Sequence, residues 1–380
     1  MLLKKFIVKF LTNNPYQIQR FEKIYDEPVG NPIEKIESLT AILKKEAGEI
    51  LIYSSSPISY NESVNHRYVN EDLRFAAHGI FKAPERTVYS VSNGCIIGQL
   101  GLIYDIKTRS FIDESAKDWS QNLKRSAFAN AFKLPERTNL DGITISFLSN
   151  GAEGGFYHFL FESLVKLEMY EGVIGRANQI LFNGPPTEWK HKWLLKAGIE
   201  VSKIVWVENT LHYKCDQLIF TNRLVGDQQI NHWCIAALKK LFKINPVIKP
   251  DLKSSRVIWI SRKGLGNREI LWEREIATRF PDIEMIDLTT LSVDQTIAIM
   301  QSATHVLGSH GAGFSNIYLC APNTKILEVY PIGSYFQPCY QRLAEICNLK
   351  YELAYINFTN HDDQQTGLST LFSAIKKQLC

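Results

Sequence analysis

Residues 304–331 read THVLGSHGAGFSNIYLCAPNTKILEVYP. The stretch divides into a short apolar strand (304–307), a tight turn of small residues (308–313), a helix, and a second strand (325–330). The turn is rich in glycine because backbone there must pass close to something. The helix after it offers unpaired N–H groups and the positive end of its dipole, a site suited to an anion such as a diphosphate. His310 stands at the mouth of the turn, where it can donate a hydrogen bond to a phosphate oxygen. A glycine-rich turn from strand to helix also serves purely structural ends, so both readings stand open at this point.

The same alternation continues on both sides. From Gly142 come strand GITISFL, a break at Gly151-Ala-Glu-Gly-Gly155, a helix from Phe156 to about Tyr170, strand QILFN, helix PTEWKHKWLLKAG, strands KIVWV and DQLIF, and a helix over about 229–242. INPVIKPDLKSS, with Pro246 and Pro250, reads as a linker. Beyond it lie strand RVIWIS, a glycine-containing loop, helix ILWEREIATRF, strand EMIDL and helix DQTIAIMQSA. The stretch quoted above comes next, then helix YFQPCYQRLAEICN, strand YELAYI and a C-terminal helix. Alternation of this kind predicts parallel sheets covered by helices. Two Rossmann-like halves facing a cleft are expected, with ligands at the C-terminal ends of strands. The expected domains are 1–245 (a β-rich lead-in over 1–120, then a Rossmann-like part over 140–245) and 251–360, with a terminal helix over 361–380. Within the lead-in, 91–105 reads as a hairpin turning at Asn93-Gly94, and 117–138 as a helix and linker.

A chain of 380 residues, 45% hydrophobic and 22% charged, can bury two cores. Its net charge of +4 comes without a dense Lys/Arg stripe, so nucleic acid is not the expected partner. Seven cysteines (Cys95, Cys215, Cys234, Cys320, Cys339, Cys347 and Cys380) form no C-x-x-C pair, which argues against a disulfide framework or a zinc site and for a reducing compartment. The N-terminal MLLKKFIVKFLTNN is interrupted by Lys4, Lys5 and Lys9, too polar to span a membrane. It reads either as a surface element or as an amphipathic segment touching an anionic membrane face. The sequons at Asn61 and Asn357 carry little weight without a secretion signal.

Three groups of side chains fall at predicted strand ends. Ser261-Arg262-Lys263, with Gly264, Gly266 and Arg268 behind it, offers arginines able to grip phosphate in bidentate fashion, or is a solvated basic loop. His158 and Glu162 lie four apart on one helix face, as a general base and its orienting carboxylate or as a cap and a salt-bridging residue. Glu328, in an otherwise apolar strand beside Tyr330 and Pro331, can accept hydrogen bonds from a ribose or serve as a paired structural carboxylate. Glu273 and Glu275 are open between surface and site. There is no G-x-S-x-G elbow and no P-loop, and the turn is not G-x-G-x-x-G, which disfavours a serine hydrolase, a P-loop NTPase and a dehydrogenase. Asp282-Ile-Glu284 sits at a strand's entry, the wrong end for a catalytic metal clamp.

In combination and order, GGFYHFLFE (154–162), WISRKGLGNREILWERE (259–275) and GSHGAGFSNIYLCAPNTKILEVYP (308–331) resemble glycosyltransferase family 61. That family includes bacterial capsular-polysaccharide transferases, plant cell-wall transferases and eukaryotic protein O-linked N-acetylglucosaminyltransferases. The resemblance covers roughly 85–355, and departs at Trp272-Glu273, where the family often has Asn-Glu. It implies a GT-B-like architecture and an inverting transfer from a nucleotide-diphospho-sugar, with a UDP-sugar as first expectation and no metal cofactor. Carried over residue by residue, it implies a donor site of Arg262, Arg268, Ser309, His310, Gly311, Ala312, Gly313, Asn316 and Glu328, with His158 and Glu162 on the acceptor side. The expected acceptor is a glycan or lipid-linked glycan of a surface or capsular polysaccharide. The expected place is the cytoplasm, with peripheral contact at the inner membrane face. The alternative is a catalytically silent sugar- or nucleotide-binding protein on the same fold.

Overall fold

The structure is a computed structural model. It describes residues 35–37, 53–54, 61–64, 79–82, 86–105, 110–116, 136–208, 211–225, 230–245, 256–265, 268–270, 272–331, 338–356 and 364–379. The N-terminal amphipathic stretch, the Asn357 sequon, Gly266, Cys380, and most of the 117–138 segment and of the proline linker lie outside these residues. The mixed α/β character expected from the alternation is present, in two compact units.

Among the described residues, the first unit holds 86–187 and 200–225 with the strands Lys35–Glu37 and Tyr53–Ser54. Its sheet is mixed. Thr138–Ser146, Gln179–Asn183, Ile204–Val207 and His212–Thr221 run parallel. Thr87–Ser92 and Cys95–Ile97 add antiparallel to the last of these, and Leu102–Asp105 and Ser110–Ile112 extend it further. The predicted 91–105 hairpin is therefore continuous with the Rossmann-like part in one sheet. The turn expected at Asn93-Gly94 is instead an irregularity within one edge: Thr87–Ser92 and Cys95–Ile97 both pair with His212–Thr221, and the Asn93 N–H (φ 54°) donates to the Asp216 carbonyl at 2.8 Å. The hairpin is formed by Cys95–Ile97 and Leu102–Asp105, turning over 98–101.

The second unit holds 188–199 and 230–379 of the described residues, with the hairpin Asn61–Val64/Gly79–Lys82. This division differs from a single cut at the proline linker. Burial explains it: Trp193 of helix Glu188–Lys196 packs edge-on against Phe242 (5.0 Å), and Lys196 pairs with Asp294. Just before helix His232–Leu241, the Ile230 carbonyl accepts from Arg342 Nε at 3.3 Å.

The second unit's sheet has five strands, all parallel: in spatial order Ile283–Ile286, Val257–Ile260, His305–Ser309, Lys325–Pro331 and Lys350–Ile356. In chain order this is 2-1-3-4-5, a doubly wound arrangement whose strand order reverses between the first and third strands. One face packs Trp259, Leu307, Leu327 and Val329 against Trp272, Ile276, Leu371 and Ile375, all buried. Burial on both faces explains why VIWI and HVLGS read as runs of apolar and small residues. Helix Val293–Ser302 begins with a capping box, Ser292 and Gln295 each bonding the other's backbone N–H.

Candidate functional site

The point of strand reversal is where an open parallel sheet leaves a crevice, because the loops from the two strands depart toward opposite faces. Here those strands are Val257–Ile260 and His305–Ser309, paired with Ile260 opposite Gly308. Their C-terminal loops carry Ser261-Arg262 and His310-Gly311. Gly308 lies so close to Ile260 that a Cβ would sit 2.9 Å from its carbonyl oxygen. At Gly311 the constraint is tighter: a Cβ would sit 1.8 Å from Arg262 Nη1. The glycine of the turn is there so that a guanidinium can lie against the backbone.

Glu273 fixes the Arg262 loop. One carboxylate oxygen accepts from Trp259 Nε1 and from the Arg262 N–H, both at 3.1 Å, and the other from Ser261 Oγ at 2.6 Å. Its ambiguity in the sequence resolves to a buttress at the first position of helix Glu273–Arg279. Arg268 holds a left-handed backbone (φ 58°), costing a non-glycine residue roughly 1–2 kcal/mol. Its carbonyl accepts from Ser309 Oγ at 2.6 Å, and its Nε is buried with no hydrogen-bond partner among the described residues. Arg262 is half-buried; burial first, and then the nearby Arg268 guanidinium, hold its pKa below the usual arginine value. Two guanidiniums concentrated beside one glycine turn favour binding of a multiply charged anion.

His310 is buried, and its Nδ1 donates to Glu328, itself fully buried; the other Glu328 oxygen accepts from the Tyr351 hydroxyl. Both Glu328 oxygens are thus engaged within the chain, as in the paired-carboxylate alternative. Asn316 Nδ2 donates to the Gly313 carbonyl at 3.0 Å, bracing the turn, while its Oδ1 is buried without a partner among the described residues. The helix expected after the turn is present as Ala312–Leu319, wound as a 3-10 helix. Phe314 to Leu319 are all buried, and the narrower 3-10 winding suits a segment enclosed on every side. Its dipole argument is correspondingly weaker, and the guanidiniums carry the positive charge.

In the first unit, Phe156–Tyr170 winds successively as α (Phe156–His158), π (Phe159–Ser163), 3-10 (Leu164–Lys166) and α (Leu167–Tyr170). π turns recur at functional sites. His158 Nδ1 donates to Glu162 Oε1 at 3.0 Å, and Ser149 Oγ to Glu162 Oε2 at 3.3 Å. Gly155 makes room for the imidazole, since a Cβ would fall 2.9 Å from His158 Cδ2. The carboxylate holds the proton on Nδ1 and leaves Nε2 as the basic nitrogen. Glu162 also lines a polar cavity of about 40 Å³ with Ser149, Lys166, Thr221 and Arg223, sized for hydroxyl groups or water.

Away from these loops, Glu284 forms a two-pronged ion pair with Arg256 (3.0 and 2.7 Å). Among the described residues, no cluster of three His, Cys, Asp or Glu is placed to hold a metal ion, and no helix is long and apolar enough to cross a membrane. Sequence reasoning did not assign Glu273, Ser149 or Tyr351 to the site. Only Glu273 had a signal, an acidic residue within the motif that carries Arg262.

The family model Glycosyltransferase 61 matches residues 156–327, a span that begins at the His158 helix and ends one residue before Glu328. No curated protein matches the chain. The motifs and the family model point to the same family, and over that span the chain is similar to the glycosyltransferases of family 61.

Proposed function

We propose that the protein is an inverting glycosyltransferase using a nucleotide-diphospho-sugar, with a UDP-sugar the first candidate, to extend a glycan or lipid-linked glycan of a surface or capsular polysaccharide. The carrying observation is the Arg262 guanidinium seated against Gly311, with Arg268 beside it, at the strand reversal of a parallel sheet. A GT-B-like division of labour fits this reading, the second unit binding donor and the first supplying the acceptor's base.

In the proposed reaction the acceptor hydroxyl attacks the sugar's anomeric carbon as His158 Nε2 takes its proton. The bond from that carbon to the diphosphate oxygen breaks, and the nucleoside diphosphate leaves with the electron pair. Charge grows on the leaving group, so groups aligned with it act mainly in the transition state. Arg262, Arg268 and His310 fill this role without requiring a metal. Gly311, Ala312 and Gly313 let the backbone approach, and Ser309 and Asn316 hold the loop. The reaction site belongs to the cytoplasm, at its membrane face if the acceptor is lipid-linked.

The test is sugar transfer to a polysaccharide acceptor by wild type, Arg262→Ala and His158→Ala. Losing a preorganised charge of this kind costs about 10²–10³ in kcat. Arg262→Ala is expected to lose nucleotide binding and turnover together, and His158→Ala turnover alone. Full turnover by either variant would contradict the assignment.

A further inference from the structure

The strand Lys325–Pro331 lies between His305–Ser309 and Lys350–Ile356, with Glu328 opposite Gly308 on one side and Leu353 on the other. Tyr351 is two residues before Leu353, on the same face of its strand and diagonal to Glu328, where a long side chain can reach. The Tyr351 hydroxyl donates to one Glu328 oxygen and His310 Nδ1 to the other. Among the described residues no lysine or arginine pairs with this fully buried carboxylate. A buried carboxylate without hydrogen-bond partners is strongly unfavourable, so these two donors satisfy it and hold it in place. Burial, and then the carboxylate itself, hold the Tyr351 pKa well above the ordinary phenol value, so the hydroxyl stays a donor.

The His310 ring is also clamped from outside the chain of hydrogen bonds. It packs at a tilt against Tyr330 (centroids 4.2 Å apart, planes at 39°) and Tyr340 (5.2 Å, 49°), and its backbone N–H donates to the Val329 carbonyl at 2.8 Å. Glu328 thus settles which nitrogen carries the proton, and the tyrosine rings settle which way the ring faces. Nε2 is left for a ligand, with no hydrogen bond among the described residues.

We propose that Tyr351 is a positioning residue of the donor site: through Glu328 it holds the proton on His310 Nδ1 and so keeps Nε2 aligned for a phosphate oxygen of a nucleoside diphosphate. This rests on the reading of the Arg262–His310 loops as a donor site. A hydrogen bond from Nε2 to a phosphate oxygen needs a proton on Nε2 too, so the ring that grips the anion is the imidazolium, with Nδ1–H on Glu328 and Nε2–H on the phosphate.

The experiment is a double-mutant cycle on the full chain, with UDP, GDP, CDP and dTDP as probes, read by calorimetric Kd. Tyr351→Phe is expected to weaken the preferred nucleotide about tenfold, the usual scale for losing a charge-assisted hydrogen bond. In a His310→Ala background the same substitution should change Kd by less than about twofold, because its effect passes through the ring. An equal tenfold loss in both backgrounds, or none in either, would overturn the proposal. A ¹⁵N spectrum of the wild-type histidines needs no variant: His310 must show its proton on Nδ1, and an unprotonated Nδ1 overturns the proposal even if Tyr351→Phe fails to fold. If Arg262→Ala binds nucleotide as wild type does, or no nucleotide binds, the donor-site reading fails instead. The spectrum still decides whether Glu328 holds the ring.

Discussion

Gly311 and Gly155 each leave room for one candidate side chain, Arg262 and His158 respectively. Adding a methyl group at Gly311 would drive the guanidinium off the turn. Gly311→Ala is therefore expected to weaken nucleotide binding at least about tenfold, the scale of losing contacts to a charged group. Calorimetric titration checks this, and unchanged affinity would remove the guanidinium from the site. Glu273→Gln tests the buttress: its amide nitrogen would face a donor, leaving a buried group unsatisfied. The expected cost is about 1–3 kcal/mol in chemical denaturation, together with weaker nucleotide binding. At this scale the sequence was informative about residue type but not about partner. Arg262, His310 and the glycines stood out in their motif. Glu273 gathers Trp259, Ser261 and Arg262, a convergence that exists only after the loop folds back on the strand.

The periodicity of the chain placed nearly every strand and helix of the described core, because fully buried parallel strands and capped helices leave distinct patterns. Two departures in helix winding accompany tertiary packing: the 3-10 segment Ala312–Leu319 is buried from Phe314 onward, and the His158 helix takes in a π turn. Neither winding is encoded in residue spacing. The C-terminal helix Gln364–Leu379 offers a test of its own. Its Gln378 carbonyl accepts from His305 Nε2 at 3.1 Å and from Lys325 Nζ at 2.8 Å. Burial, then the Lys325 charge, hold the His305 pKa below the ordinary 6.5. The unfolded chain therefore takes up this proton first as pH falls. Stability from this group is present above 6.5 and is lost as pH drops from there through the folded value. His305→Gln should flatten the dependence of melting temperature on pH just below 6.5; parallel curves for wild type and variant would contradict this.

For the whole molecule, the second unit's strand order decides where chemistry is expected. The 2-1-3-4-5 order could be anticipated only as a class, because a sequence gives strands in chain order and not their neighbours. Once the order is known, the two loops carrying Arg262 and Gly311 fall at its reversal. Unit boundaries were less legible: helices Glu188–Lys196 and His232–Leu241 precede the proline linker yet belong to the unit whose sheet lies beyond it. On the proposed function, this reversal binds a nucleoside diphosphate through Arg262. The direct measurement is thermal stabilisation of wild type and Arg262→Ala by UDP, GDP, CDP and dTDP. At about 100 times its dissociation constant, a ligand adds about 2.7 kcal/mol, a shift of several degrees. One nucleotide stabilising wild type but not Arg262→Ala is the predicted result. Equal stabilisation of both proteins, or of neither by any nucleotide, would contradict it.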